Sequence, residues 1–290
     1  MIAAGLLGLA FLASPGPAPG VPQPPGGAYP PQEIPWERDF GAAMKKARQA
    51  GKPLLVDFWA AWCGWCDKLD ATTYRDAKVV RLAADYIPVK VNSEGSRAEV
   101  QVALKYGVAS LPTIALVSPR GRPILVMQGF QGAAQFAGSL ERARESIDKV
   151  LAWETAIEKD GDDAEALLGL GIHLLDNDDY DGSKELLARA RASDSDRPVV
   201  DRKQARLLLG TLEYYDNKHG KAEQLLKEGL NLRPVTEFDP KLMYVLAKVY
   251  IKAGRKNEAR SVLHSVLDGY GSSPIAQKAK ETLVALDAQR

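Results

Sequence analysis

The fold class that this chain predicts is an α/β sandwich, a mixed sheet with helices on both faces, followed by an all-α array of helical hairpins. Three observations predict it. Between residues 36 and 150, short apolar runs bounded by Gly and Pro alternate with segments of helical periodicity, the pattern of strands and crossover helices in one layered domain. Past residue 150 no strand-like run occurs, and small residues recur with leucines at fixed offsets. The length, 290 residues with 46% apolar, suits two cores.

In the first module Phe40, Ala43, Met44 and Ala47 repeat at helical spacing, Asp39 is placed to cap the helix start, and Gly51 followed by Pro53 stops it. Leu54 to Trp59 is a continuous apolar run interrupted only by Asp57, which reads as a buried central strand. It leads into Ala60-Ala61-Trp62-Cys63-Gly64-Trp65-Cys66-Asp67-Lys68-Leu69, whose latter half is helix-competent. A helix is expected near residues 77 to 85, a strand over Tyr86 to Val91 and a helix over Arg97 to Lys105. Strands at Thr113 to Val117 and Ile124 to Gln128 follow, joined by a turn at Ser118 to Gly121, and a long helix starts near Ala133.

Charge and proline are distributed unevenly. Residues 1 to 32 carry no Asp, Glu, Lys or Arg, and nine of the eighteen Pro fall between Pro15 and Pro35. Residues 1 to 13 form a signal-like leader whose apolar run, Ile2 to Ala13, is too short to span a bilayer. Residues 14 to 35 form a Pro/Gly tether that buries too little apolar surface to offset its ordering entropy. The expectation is an extracytoplasmic or membrane-tethered protein, periplasmic or secreted, that contacts the membrane only through a retained leader; a cytoplasmic protein with an apolar tail is the alternative. Residues 33 to 150 have 17 basic and 13 acidic side chains and residues 151 to 290 have 21 and 24. That balance argues against a nucleic-acid partner held by bulk charge.

The chain has two cysteines, Cys63 and Cys66, both at the end of the strand that carries Asp57. At a helix N-terminus the first thiol meets unpaired backbone N–H groups and the positive end of the dipole, which favour thiolate. Cys63 is therefore the expected nucleophile and Cys66, one turn on, the thiol that resolves the mixed disulfide. Gly64 and Trp65 between them should bias the redox balance. A tetrahedral zinc site would need ligands that this module lacks, since it holds no second Cys pair and no His. Attachment of c-type haem would need His where Asp67 stands. A structural disulfide closing so short a loop would add almost no chain-entropy stabilisation. Redox chemistry remains, with the Cys63–Cys66 pair in place of any bound cofactor.

These residues resemble the thioredoxin superfamily over about residues 36 to 150. Val56-Asp57-Phe58-Trp59-Ala60 with Trp62-Cys63-Gly64-Trp65-Cys66 is similar to the family's active-site strand and helix start. Lys105-Tyr106-Gly107-Val108 with Leu111-Pro112-Thr113 is similar to its cis-proline segment, and Gly129 matches a glycine after its last strand. Trp36 and Gly51-Lys52-Pro53 look most like the branch that contains the C-terminal domain of the thiol-disulfide interchange proteins. The resemblance implies that Asp57 is buried behind the cysteines, with a raised pKa, and takes the proton of Cys66. It implies that Lys90 lies near that acid, that Pro112 is cis and that the Leu111 backbone pairs with a substrate strand. Trp62 and Trp65 are expected to form an apolar docking surface, and Trp59 to be core or a cover. Trp65 stands where thioredoxin has Pro, so thioredoxin's potential does not transfer.

In the second module Ser183, Ala222 and Ala259 lie 39 and 37 residues apart. Gly171, Gly210 and Ala247 stand twelve residues before them, Leu170, Leu209 and Leu246 thirteen before, and Leu187, Leu226 and Leu263 four after. Small residues at paired offsets let antiparallel helices approach closely. The pattern resembles tetratricopeptide repeats over about residues 162 to 288, with insertions at Ser193 to Pro198 and Val235 to Asp239. Asp239-Pro240 and Ser273-Pro274 each read as a cap followed by Pro at the first helical position. Each His is expected on a helical surface away from any ligand constellation, and no metal is assigned. The array is either a stabilising platform or a groove for a partner peptide.

The favoured function is a thiol-disulfide oxidoreductase acting on protein disulfides, reset by a redox partner and docked through the repeats. The alternative is an interaction scaffold in which the first module is mainly structural. A CxxC protein of this kind oxidises, isomerises or reduces according to its potential and the partner that resets it, and the branch resemblance leans toward a reductase.

Overall fold

The computed structural model describes residues 33 to 288; the leader and all but residues 33 to 35 of the Pro/Gly tract lie outside the described residues. In the first module helix α1 (Phe40–Ala50) precedes strand β1 (Leu54–Trp59), which feeds α2 (Gly64–Ala71). A 3-10 turn (Thr73–Arg75), α3 (Ala77–Ala83), β2 (Ile87–Asn92), α4 (Arg97–Lys105), β3 (Thr113–Val117), β4 (Pro123–Gln128) and α5 (Ala133–Lys159) follow. The caps act as the sequence predicts. Asp39 accepts from the Ala42 N–H at 2.6 Å, and Gly51 ends α1 in the left-handed conformation at φ 63°, where a side chain would be strained.

The strands form one mixed sheet in the order β2-β1-β3-β4, with β1 parallel to β2 and antiparallel to β3. β1 is central, so both its faces are covered, and the two-residue alternation of a strand sorts its side chains. Leu54, Val56 and Phe58 join the layer that packs against α1 and α4, with Ala43, Met44, Ala103 and Tyr106. Leu55 joins Leu69 of α2, Val79 of α3 and Phe136 of α5 on the opposite face. Asp57, two residues from Leu55, is therefore on the face that α2 covers.

The second module consists of antiparallel helix pairs: α6 (Ala164–Asp176) with α7 (Tyr180–Ala192), α8 (Val199–Tyr215) with α9 (His219–Asn231), and α10 (Asp239–Lys252) with α11 (Lys256–Tyr270). A last helix, α12 (Pro274–Asp287), follows. The aligned small residues sit where paired helices approach closely. A Cβ on Gly171 would come within 3.0 Å of the Leu187 side chain, and one on Gly210 within 2.8 Å of Leu226. Ser183, Ala222 and Ala259 are all fully buried.

Two expectations are corrected. Asp239 is not a cap: Phe238 holds that position without a side-chain bond. Asp239 instead accepts from the Thr236 N–H at 2.8 Å and pairs with Lys203, both charges buried. His173 is not a surface residue: it is half-buried, with its ring centroid 6.3 Å from that of Trp153 and its imidazole next to the backbone of Pro123 and Ile124. Desolvation there lowers its pKa below 6.5.

Helix α5 runs without a break through residue 150 and carries the core from one module to the next. Phe136 and Leu140 pack below the sheet, while Val150 shares one apolar cluster with Leu167, Leu170 and Leu174 of α6. Glu154 is buried at this junction, accepts from the Ser118 hydroxyl at 2.7 Å and lies 3.5 Å from Arg122. It ties the β3–β4 turn to the helix. Among the described residues no helix is long and apolar enough to cross a membrane.

Candidate redox site

β1 stops at Trp59, and four residues later Cys63 caps α2. Its sulfur accepts from the Cys66 N–H at 3.1 Å. One helical turn brings the two sulfurs together, and they are bonded. Cys63 and Cys66 are only 3% and 2% exposed, whereas the flanking Trp62 and Trp65 are 66% and 56% exposed. The disulfide thus lies flush in a surface from which two indoles protrude.

Each indole is held. Trp62 Nε1 donates to Glu94 Oε2 at 2.9 Å. Trp65 rests on Phe130, ring centroids 5.4 Å apart, and the Lys68 ammonium lies 4.8 Å from the Trp65 ring and 4.9 Å from the Phe130 ring. The Leu111–Pro112 peptide is cis. The Pro112 carbonyl accepts from the Gly129 N–H at 2.8 Å, with Gly129 at φ 81°. The Leu111 backbone makes no hydrogen bond among the described residues. Trp59 is half-buried at the end of β1.

On the face beneath α2, Asp57 is 1% exposed. Lys90 is its Cα partner on the parallel strand β2, and its ammonium lies 2.7 Å from Asp57 Oδ2 and 2.6 Å from Asp70 Oδ1. The same ammonium faces the rings of Trp36 and Tyr74 at 5.1 and 5.4 Å. Burial raises the Asp57 pKa above 3.8, outweighing the pull of Lys90. Burial raises the Tyr74 pKa as well, and the neighbouring Asp57 and Asp70 charges add to it. The Tyr74 hydroxyl faces Asp57, yet neither it nor Asp57 Oδ1 makes a well-formed hydrogen bond among the described residues.

The structure therefore brings Cys63, Cys66, Trp62, Gly64 and Trp65 together at one helix start, with Asp57 and Lys90 on the strands behind and Leu111 and Pro112 on the loop before β3. Sequence reasoning missed Asp70, Tyr74, Glu94, Lys68 and Phe130. Asp70 had a signal: it lies four residues after Cys66, on the same face of α2. Phe130 had one in its place directly after Gly129. Among the described residues no cluster of His, Cys, Asp and Glu is fit to hold a metal.

Comparison with known proteins agrees with this architecture. Residues 40–144 match the thioredoxin-like domain model and residues 137–207 a tetratricopeptide repeat model. The thiol:disulfide interchange protein DsbD of Yersinia pestis (strain Pestoides F) is 34% identical over 98 residues, which are 33% of this chain and 16% of that protein. DsbD of Ralstonia nicotianae is 30% identical over 104 residues, 35% of this chain and 17% of that protein. This chain thus spans about a sixth of these relatives. Among solved structures, the oxidised C-terminal domain of Neisseria meningitidis DsbD is 23% identical, with 38% of this chain and 99% of that one covered and a TM-score of 0.34.

Proposed function

From the premise that residues 40–144 are a thioredoxin-like domain similar to the C-terminal domain of DsbD, with a tetratricopeptide repeat region after it, we propose that the protein is an extracytoplasmic thiol-disulfide oxidoreductase. It acts on protein disulfides in the reducing direction, and its repeats dock the client or redox partner. One observation carries the reading: a disulfide-bonded CxxC caps α2, the helix whose Asp70 joins the buried Asp57–Lys90 carboxylate–ammonium pair.

In the reduced protein the Cys63 thiolate, favoured by the Cys66 N–H and the start of α2, attacks a client disulfide. One client sulfur leaves as thiolate and a mixed disulfide with Cys63 forms. Cys66 passes its proton to Asp57, whose raised pKa suits it to accept, and attacks the Cys63 sulfur. The second client thiolate leaves and the Cys63–Cys66 bond closes, so two electrons have moved from the dithiol to the client. A dithiol partner restores the reduced state by the reverse exchange. Lys90 tunes Asp57. Trp62 and Trp65 seat apolar client surface, and the free Leu111 backbone beside Pro112 pairs with the client strand. The domain division at residues 36–150 and 151–290 assigns chemistry to the first part and docking to the second.

The test is insulin reduction with dithiothreitol as electron source. Cys63→Ser should abolish turnover and Cys66→Ser should accumulate a mixed disulfide; wild-type turnover in Cys63→Ser would sink the proposal.

A further inference from the structure

The Lys and Arg side chains of the repeat region are not treated alike by the fold. Every one on α7, α8 and α9 pairs with a carboxylate: Lys184 with Glu213, Arg191 with Glu228, Lys203 with Asp239, Arg206 with Asp194, and the others likewise. None of the three lysines of α10, Lys241, Lys248 and Lys252, has a carboxylate partner among the described residues. The acid of that helix, Asp239, is already consumed by Lys203.

The α10 lysines also share a face. With Tyr244 they recur at intervals of three, four and four residues, which is one stripe of a helix. The opposite side of α10, Leu242, Leu246, Val249 and Tyr250, is buried in the array, so packing does not need the lysines. The stripe is bordered by aromatic surface from α8. The Lys248 ammonium lies 5.0 Å from the Tyr214 ring and 5.6 Å from the Tyr215 ring, and Tyr215 is 67% exposed. On its other border the Tyr244 hydroxyl is 3.3 Å from that of Thr282 on α12. Lys278, one turn before Thr282, also has no carboxylate partner among the described residues.

We propose that this face of α10, with Tyr214 and Tyr215 beside it, docks an extended acidic segment of a partner protein. Eleven residues of helix separate Lys241 from Lys252, a rise of about 16 Å, which five or six residues of extended chain cover. Carboxylates on such a segment supply the missing counter-charges, and an apolar side chain between them lies on the exposed Tyr215 ring. A long polyanion fits less well, because residues 151–290 carry 24 acidic against 21 basic side chains and repel it beyond the stripe. The inference rests on reading the array as a docking element.

The test uses the full chain and a fluorescein-labelled twelve-residue peptide of Asp, Glu, Ser and Leu, with its Lys-for-acid counterpart, followed by anisotropy. The acidic peptide should bind and the basic one should not, and binding should fall at least about tenfold between roughly 0.05 and 0.5 M salt. The triple variant Lys241→Gln, Lys248→Gln, Lys252→Gln should weaken binding at least about tenfold while reducing insulin at the wild-type rate. Equal binding by the triple variant, equal binding of the basic peptide, or tighter lysine-dependent binding of single-stranded DNA or anionic vesicles would overturn the proposal. Joining the acidic peptide to a disulfide reporter separates the two readings. If the tag accelerates reduction equally in wild type and triple variant, docking stands and the α10 assignment falls. If it neither binds nor accelerates, the docking reading falls as well.

Discussion

The Lys90 ammonium lies 2.7 Å from the Asp57 carboxylate because the two residues face each other across parallel strands. Even so, burial keeps the Asp57 pKa above 3.8, since desolvating the carboxylate costs more than one buried cation returns.

That balance predicts a pH-dependent stability. A carboxyl whose folded pKa exceeds its unfolded one binds more protons in the native state. Its stabilising contribution is full below the unfolded pKa and is lost as pH rises through the folded pKa. Asp57→Asn does not titrate, so its stability relative to the wild type should rise with pH. The window begins near 3.8 and ends at the raised value, with a slope of at most about 1.4 kcal/mol per pH unit. Urea unfolding of both oxidised proteins across pH 3 to 8 measures it; parallel curves would show that Asp57 is not raised.

Trp65 protrudes beside the disulfide and is braced by Phe130 and Lys68. As a docking surface it should affect large substrates selectively. Trp65→Ala is expected to lower kcat/KM for a protein disulfide about tenfold, a loss of roughly 1.4 kcal/mol of contact, chiefly through KM. Reduction of glutathione disulfide should hardly change. Equal losses on both substrates would assign Trp65 to the chemistry instead.

The hairpins should distinguish two glycines sharply. Gly210→Ala drives a methyl to within 2.8 Å of the Leu226 side chain and should cost about 1–3 kcal/mol. Gly220, also helical, has nothing within 4 Å of its absent Cβ, so Gly220→Ala should stabilise by about 0.5–1 kcal/mol. Thermal unfolding of the two variants should move in opposite directions.

Lys203 is fully buried against Asp239. Lys203→Met leaves a buried carboxylate without its cation and should cost about 3–5 kcal/mol. Adding Asp239→Asn, which retains an acceptor for the Thr236 N–H, should restore much of that. If the double variant is no better than the single, the lysine's contribution lies in its packing and not in the pair.

Much of this molecule was readable from residue order. Leu54 to Trp59 had to be a central strand because an apolar run bounded by Pro and small residues has no other stable place. Cys63 had to lie at a helix start because a helix-competent segment follows it at once. The glycines and leucines at paired offsets marked the hairpins, because close helix approach requires small residues at those places. Local signals failed where a partner far along the chain outbid them. Asp239-Pro240 has the form of a helix cap, but Lys203, 36 residues earlier, draws the carboxylate inward. His173 has the form of a surface histidine, but α6 packs against β4 and covers it.

Periodicity and motif alone determined the two architectures, the thiol pair and the strand that carries Asp57, since each depends on neighbours within a few residues. Tertiary structure decided which charges are spent and which remain. Only the register of β1 on β2 sets Lys90 against Asp57. Only the fold of α2 adds Asp70, and only the stacking of hairpins pairs the cations of α7 to α9 with carboxylates while those of α10 have no carboxylate partner among the described residues. Coulomb attraction and desolvation act through space, and the distances on which they depend do not exist until the chain has folded.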